Sequence, residues 1–301
     1  CYLDPYEGGK QAVAEAARNI AASGARPVAI TDCLNFGSPE RAEIMWQFAE
    51  CIRGISDACR TLETPVVSGN VSFYNETEGR AIHPTPTVGM VGVMESDRDG
   101  CGLAFDEAGL DVIVLGATRD ELGGSEWQQA FAPNELAAPP RVDLEAEKKL
   151  VDLLLALHEA KLLRSAHDVS NGGLAVALAE MSYGGVGCHV ELGGHADELD
   201  AVALLFSESQ ARAIVVCTDA ERALEAANKA GVQAARIGHT AHGTFLIERH
   251  GRPLVRVSAQ ELTRVWRSAF ALLLGGDTAD EVLRGVGEEA PDVMAHQDAL
   301  R

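Results

Sequence analysis

Two short β-branched runs bracket one long amphipathic helix near the start of the chain, and this arrangement limits the fold more than any other feature. The first run, residues 28–31, ends at Asp32; the second, Val66-Val67, ends at the string SGNVSFYNE, residues 68–76. Between them Ser38-Pro39-Glu40 reads as an N-cap with Pro at the first helical position. Ile44, Phe48, Ile52, Ile55, Cys59 and Leu62 follow on one helical stripe. Strands joined through a crossover helix run parallel. Both strand ends then face one way, which puts Asp32 and Gly69-Asn70 on the sheet edge where open α/β sheets bind ligands.

The rest of the chain continues the alternation. Ala12, Val13, Ala16, Ala17 and Ile20 have helical spacing within residues 9–23, with Gly24 as the stop. HPTPTVGMVGVMES reads as a Pro-led strand, and DVIVLG as a buried strand running into the Gly-rich loop that holds GGSEW. At Pro139-Pro140 the composition shifts to a long amphipathic helix, RVDLEAEKKLVDLLLALHEA, so a boundary is expected near residue 138. The expected units are residues 1–137, residues 138–276 and an acidic tail over 277–301. In the second unit a helix leads into SAHDVSNGGLAVALAEM, then a strand over ALLFSESQARAIVVC and a helix over 219–230. A hairpin of TFLIE and PLVRVS turns through Arg249-His250-Gly251-Arg252. The pattern is α/β in two domains.

Charge and cysteine usage exclude several classes. With a formal net charge of −20 the chain lacks the basic footprint a nucleic-acid binder needs. An anionic small molecule would need local backbone donors or a metal to offset that field. Seven cysteines, odd in number and never spaced C-x-x-C, fit reduced thiols in a cytoplasmic protein. No run of about 18 apolar residues marks a membrane span, and no signal peptide is recognised. The opening CYLDPYEGGK, without an initiator Met, reads as an internal start.

Four positions gather on the expected sheet edge. Asp32 can hold a cation or nucleotide through its carboxylate, or simply cap the turn before the helix. Gly69 lets a ligand approach the backbone, Asn70 offers a neutral carbonyl oxygen to a hard cation, and Ser72 adds a hydroxyl. The same letters also suit an Asx turn ending a strand, and no Walker lysine is present. In the second unit His167-Asp168 with Asn171-Gly172-Gly173 opens a helix and can present N–H groups to an anion. Glu208, Gln210 and Arg212 either face solvent or line a pocket. No G-x-S-x-G or glutaminase-like nucleophile motif is present.

Taken together, LDPYEGGKQAVAEAARNIAASGARPVAITDCLNFGSPE, VSGNVSFYNE, HPTPTVGMVG, ELGGSEW and HDVSNGGLAVALAEM resemble the synthetase subunits of phosphoribosylformylglycinamidine synthase, small form, over residues 2 to about 275. The resemblance implies an aminoimidazole ribonucleotide synthetase-like fold of the α+β type, with mixed sheets flanked by helices. It identifies the chain with the C-terminal half of such a subunit, lacking the first strands of that half's leading domain. It implies ATP and Mg²⁺ as cofactors, with ATP contacts at Asp32 and Gly69, the metal at Asn70 and the ribonucleotide at Ser72. Catalytic histidines are expected in the absent N-terminal half. Asp168 and Glu208 would belong to a pseudo-site. Implied partners are the N-terminal half, a glutaminase subunit that supplies ammonia, a small bridging subunit and, through an exposed sheet edge, a second copy of the chain. A non-catalytic nucleotide-binding scaffold is the alternative.

Overall fold

The computed structural model describes residues 1–96, 100–135 and 137–273; the acidic tail expected over 277–301 lies outside them. The first part runs α1 (Pro5–Ala22), β1 (Arg26–Asn35), α2 (Ala42–Leu62), β2 (Val66–Ser72), β3 (Glu76–Thr77), β4 (Arg80–Ala81) and β5 (Thr85–Val93). It continues with β6 (Asp111–Leu115), α3 (Glu126–Phe131), α4 (Leu144–Glu159), β7 (Leu163–Asp168), α5 (Gly173–Met181) and β8 (Val186–Glu191). The last elements are α6 (Ala201–Phe206), β9 (Ala213–Cys217), α7 (Ala220–Ala230), β10 (Ala234–His242), β11 (Thr244–Arg249), β12 (Arg252–Ser258) and α8 (Ala259–Leu273).

A three-stranded sheet has the order β2-β1-β5, and a seven-stranded sheet has the order β12-β11-β8-β10-β6-β9-β7. β1 and β2 pair in parallel, as their helical crossover requires, while β5 pairs antiparallel to β1. The chain changes sheet between β5 and β6, so the division falls earlier than residue 138. β6 belongs to the large sheet because it pairs with both β10 and β9; the shift in composition at Pro139-Pro140 marks only the approach to α4.

Several elements extend further than their apolar runs. β1 and β2 do not end at Asp32 and Val67, because their ladder continues through Asn35 and Ser72. α1 starts at Pro5, with Asp4 accepting the Glu7 N–H at 3.0 Å as its cap. α2 starts at Ala42 rather than at Pro39; the Ser38 hydroxyl takes the Glu40 N–H inside the preceding turn. The polar string SESQ is not strand but the loop between α6 and β9.

Helices α1, α2, α4 and α7 lie between the sheets. One core joins Val13, Ala17 and Ala21 of α1 to Ile30 and Leu34 of β1, and to Ile113, Leu115, Val215 and Cys217 of the large sheet. Val112, Val114, Ile214 and Val216 point to the opposite face, where Leu174 and Leu178 of α5 and Leu204 of α6 cover them. Strand alternation thus buries β6 and β9 on both faces. α1 and α2 approach closely through glycines. A Cβ on Gly54 would come within 2.1 Å of the Tyr6 carbonyl oxygen, and one on Gly9 within 2.4 Å of that of Cys51. Gly54→Ala is therefore expected to lower stability by about 1–3 kcal/mol, the cost of overpacking, read as a lower urea midpoint with an unchanged slope.

Candidate functional site

The parallel ladder sets Asp32 opposite Gly69, Cys33 opposite Asn70 and Asn35 opposite Ser72. The four positions singled out in the sequence are therefore neighbours, but on two faces. Ile30 and Leu34, which flank Asp32 at spacing two, are buried toward the helices, so Asp32 lies on the helix side. Its carboxylate crosses to the neighbouring strand: a Cβ on Gly69 would stand 2.1 Å from Asp32 Oδ1. Gly69 is needed for that approach, not for a turn. Burial raises the Asp32 pKa above the ordinary carboxylate value. No ion pair or hydrogen bond to its side chain is present among the described residues.

Asn70 and Ser72 lie on the other, open face with Cys33 and Asn35. The Cys33 thiol donates to Asn70 Oδ1 at 3.3 Å, and Asn35 Nδ2 donates to Cys33 Sγ at 3.4 Å. The loop after β2 folds back onto the β1–α2 turn. Phe73 packs edge-on against Phe48, which packs edge-on against Phe36. The Tyr74 N–H reaches the Gly37 carbonyl, and Glu76 Oε1 takes the Ser38 N–H. Carboxylate, amide carbonyl and hydroxyl oxygens each suit a hard cation, but here the carboxylate lies on the other face from the amide and the hydroxyl. No group of three or more His, Cys, Asp or Glu side chains able to hold a metal occurs among the described residues.

A cleft of about 580 Å³ lies elsewhere, between α1 and the second domain; Glu15, Ser125, Gln128, Asn171, Glu208 and Gln210 line it. Glu208 Oε1 accepts the N–H of Gly172 at 2.7 Å and of Glu126 at 2.8 Å, at the starts of α5 and α3. Burial raises the Glu208 pKa against those two bonds. Arg212 holds the loop from behind, donating to the Ser207 and Ser209 carbonyls and to Thr118 Oγ1. Burial lowers its pKa to about 9. Asp168 does not reach the cleft. It is 1% exposed, 3.2 Å from His167 Nδ1 and 3.9 Å from Arg18 Nε. Of the two residues expected to form a pseudo-site, only Glu208 faces open space. The GGSEW segment contributes Gly123, Gly124 and Ser125 to the same cleft.

Arg18 and Glu147, which no sequence motif marks, form a buried ion pair at 2.7 Å. The signal was there: Arg18 falls four residues after Ala14 on the apolar face of α1, where a charge demands a buried partner.

Two sheets of unequal size, enclosing a shared helical layer and offering both a polar strand pair and an interdomain cleft, define a two-domain α/β class. The AIR synthase related protein N-terminal domain matches residues 1–94, and the C-terminal domain of the same family matches residues 107–248. The chain belongs to the AIR synthase related family. It is 48% identical over 277 residues to phosphoribosylformylglycinamidine synthase subunit PurL of Moorella thermoacetica, covering 91% of this chain and 37% of that protein. The corresponding subunit of Thermobifida fusca is 48% identical over 277 residues, covering 91% of this chain and 35% of that one. The chain thus spans little more than a third of these relatives. Among solved structures, Thermotoga maritima PurL complexed with FGAR superposes with a TM-score of 0.73 at 24% identity, over 87% of this chain and 44% of that one. Hydrogenase maturation protein HypE superposes with a TM-score of 0.64 at 18% identity, over 83% of this chain and 82% of that one. At these identities the structures establish the fold.

Two measurements test the geometry. Gly69→Ala is expected to lose about 1–3 kcal/mol of stability, and Asp32→Ala in the same chain should recover most of it; additive losses in urea unfolding would show that the two residues do not press on each other. The second concerns His167. Burial alone would lower its pKa, but bonds to Asp168 and Glu180 at 3.2 and 3.0 Å outweigh burial and raise it to about 9. Because the folded value lies above the unfolded one, this contribution is complete below pH 6.5. It is lost as pH rises toward 9, on the order of 3 kcal/mol. His167→Gln should flatten the stability–pH curve over that interval.

Proposed function

We propose that this chain is the second half of a PurL-type synthetase subunit, contributing one wall of a nucleotide and ribonucleotide site rather than a whole active site. The observation that carries this reading is the β1–β2 register, which brings Asp32, Gly69, Asn70 and Ser72 onto two adjacent strands. Asp32 and Gly69 would contact ATP, Asn70 would ligate Mg²⁺ and Ser72 would bind the ribonucleotide. The exposed Asn70 amide and the Ser72 hydroxyl on the open face suit such ligands, and Asp32 lies on the adjoining strand, with its carboxylate against Gly69.

The reaction proposed is ATP-dependent amidine formation on formylglycinamide ribonucleotide in purine biosynthesis. The γ-phosphoryl group moves to the substrate amide oxygen, giving ADP. Ammonia then attacks the activated carbon, and the C–O bond to phosphate breaks. Bound Mg²⁺ would supply charge neutralisation during phosphoryl transfer. The residues of this chain position reactants; the proton-transferring groups would come from the first half, and ammonia from a glutaminase subunit through a small bridging subunit.

The open face of the small sheet supports docking of the first half or of a second copy. Val91 and Val93 are 60% and 57% exposed there, and among the described residues the outer edge of β2 has no strand beside it. The free state of all seven cysteines supports a cytoplasmic setting. Among the described residues no helix is long and apolar enough to cross a membrane.

Combining this chain with its first half, MgATP, ammonia and the ribonucleotide should yield amidine and ADP, whereas the chain alone should give none. Asp32→Ala with Asn70→Ala should lower kcat/KM by at least about 10²-fold, the scale of lost electrostatic stabilisation. Full activity in that double variant would favour the scaffold reading instead.

A further inference from the structure

The loop after β2 contains a side chain whose contacts converge on Ser72. Asn75 is half-buried, and its Nδ2 donates to the Phe36 carbonyl at 3.0 Å, the Ser72 carbonyl at 2.9 Å and Ser72 Oγ at 3.1 Å. Its Oδ1 accepts the Ser72 hydroxyl at 3.2 Å. Backbone bonds from Asn75 N to the Phe36 carbonyl and from Phe36 N to the Ser72 carbonyl close the same corner. One amide therefore ties the ends of β1 and β2 together and surrounds one hydroxyl. We propose that Asn75 is the positioning residue for Ser72, holding the hydroxyl proton on its own Oδ1 so that Ser72 Oγ meets a ligand as a hydrogen-bond acceptor.

A serine hydroxyl has one proton and two lone pairs. The proton is directed to Asn75 Oδ1, and one lone pair shares an Nδ2 hydrogen with the Ser72 carbonyl. The remaining lone pair is the group Ser72 can offer to a ligand. An acceptor in that place suits an O–H or N–H of a ribonucleotide, a ribose hydroxyl or an amide, and not a phosphate oxygen. Asparagine is the fitting residue, since a single planar amide supplies both the acceptor for the hydroxyl and the donors for two strand-end carbonyls. The left-handed backbone of Tyr74, with φ of 59°, brings the following residue back over the strand end. This inference rests on the reading of Ser72 as the ribonucleotide contact.

The test is a double-mutant cycle in the synthetase assembled from this chain and its first half, with KM for ribonucleotide and for ATP measured separately. Ser72→Ala and Asn75→Ala should each raise the ribonucleotide KM by about 5-fold, the scale of one neutral hydrogen bond. Neither should change KM for ATP. Asn75→Ala placed on Ser72→Ala should add nothing. Asn75→Asp keeps an acceptor for the hydroxyl but loses the donors, so it should raise the ribonucleotide KM less than Asn75→Ala while lowering the thermal midpoint at least as much. Additive effects, a change in both KM values, or KM effects ranked by thermal midpoint alone would overturn the positioning role. An effect of Ser72→Ala with none from either Asn75 variant would overturn it while leaving the parent reading intact. An unchanged ribonucleotide KM in Ser72→Ala would overturn the parent reading and this one with it.

Discussion

A buried charge on α1 holds the two sheets in one arrangement. Arg18 is fully buried; its Nη1 donates to Glu147 Oε1 of α4 at 2.7 Å and to Gln210 Oε1 at 3.3 Å, while Asp168 of β7 lies 3.9 Å from its Nε. Burial works to lower the Arg18 pKa, but Glu147 and Asp168 more than offset it, so the guanidinium stays charged. Glu147 Oε1 also takes the Ala211 N–H at 2.8 Å, which extends the link to the loop before β9. Removing one member of such a cluster leaves an uncompensated buried charge, at a cost of about 3–5 kcal/mol. Apolar surfaces between helices can slide, whereas a buried guanidinium has few satisfactory positions.

Two features of the molecule follow from that fixed helix. α1 lends Gln11 and Glu15 to one wall of the cleft, opposite Glu208 and Gln210 of the second domain, so the cleft's shape depends on the interdomain clamp. α1 also presses its glycine-lined side against α2, which closes the crossover between β1 and β2. The strand pair that carries Asp32, Gly69, Asn70 and Ser72 is thus backed by a closely packed helix pair. The face it turns outward is left uncovered among the described residues.

Much of this was legible in the residues. Apolar spacing located α1, α2, α4 and the β11–β12 hairpin, and the crossover helix required β1 and β2 to run parallel. The ends of β1 and β2 were not legible, because polar side chains such as Asn70 and Ser72 sit in strand backbone only when a neighbour supplies the ladder. The membership of β6 in the large sheet was hidden for a related reason. A run such as DVIVL declares a strand buried on both faces but not which strands lie beside it. The SESQ segment could not be assigned from its letters, since its loop form depends on Arg212 reaching its carbonyls.

The sequence by itself determined the two-domain α/β class, the parallel strand pair and the run of polar residues at its ends, since periodicity and residue type act locally along the chain. Only the tertiary structure decided how those residues divide. Alternation along paired strands put Asp32 on the helix face and Asn70 on the open one, and burial beside Arg18 took Asp168 out of the cleft. It also gave SGNVSFYNE its internal order. Gly69 makes room for a carboxylate on the adjacent strand, Phe73 roots the loop in the aromatic cluster, and Asn75 ties down Ser72. Those relations are contacts between segments distant in the chain, fixed only by close packing in three dimensions.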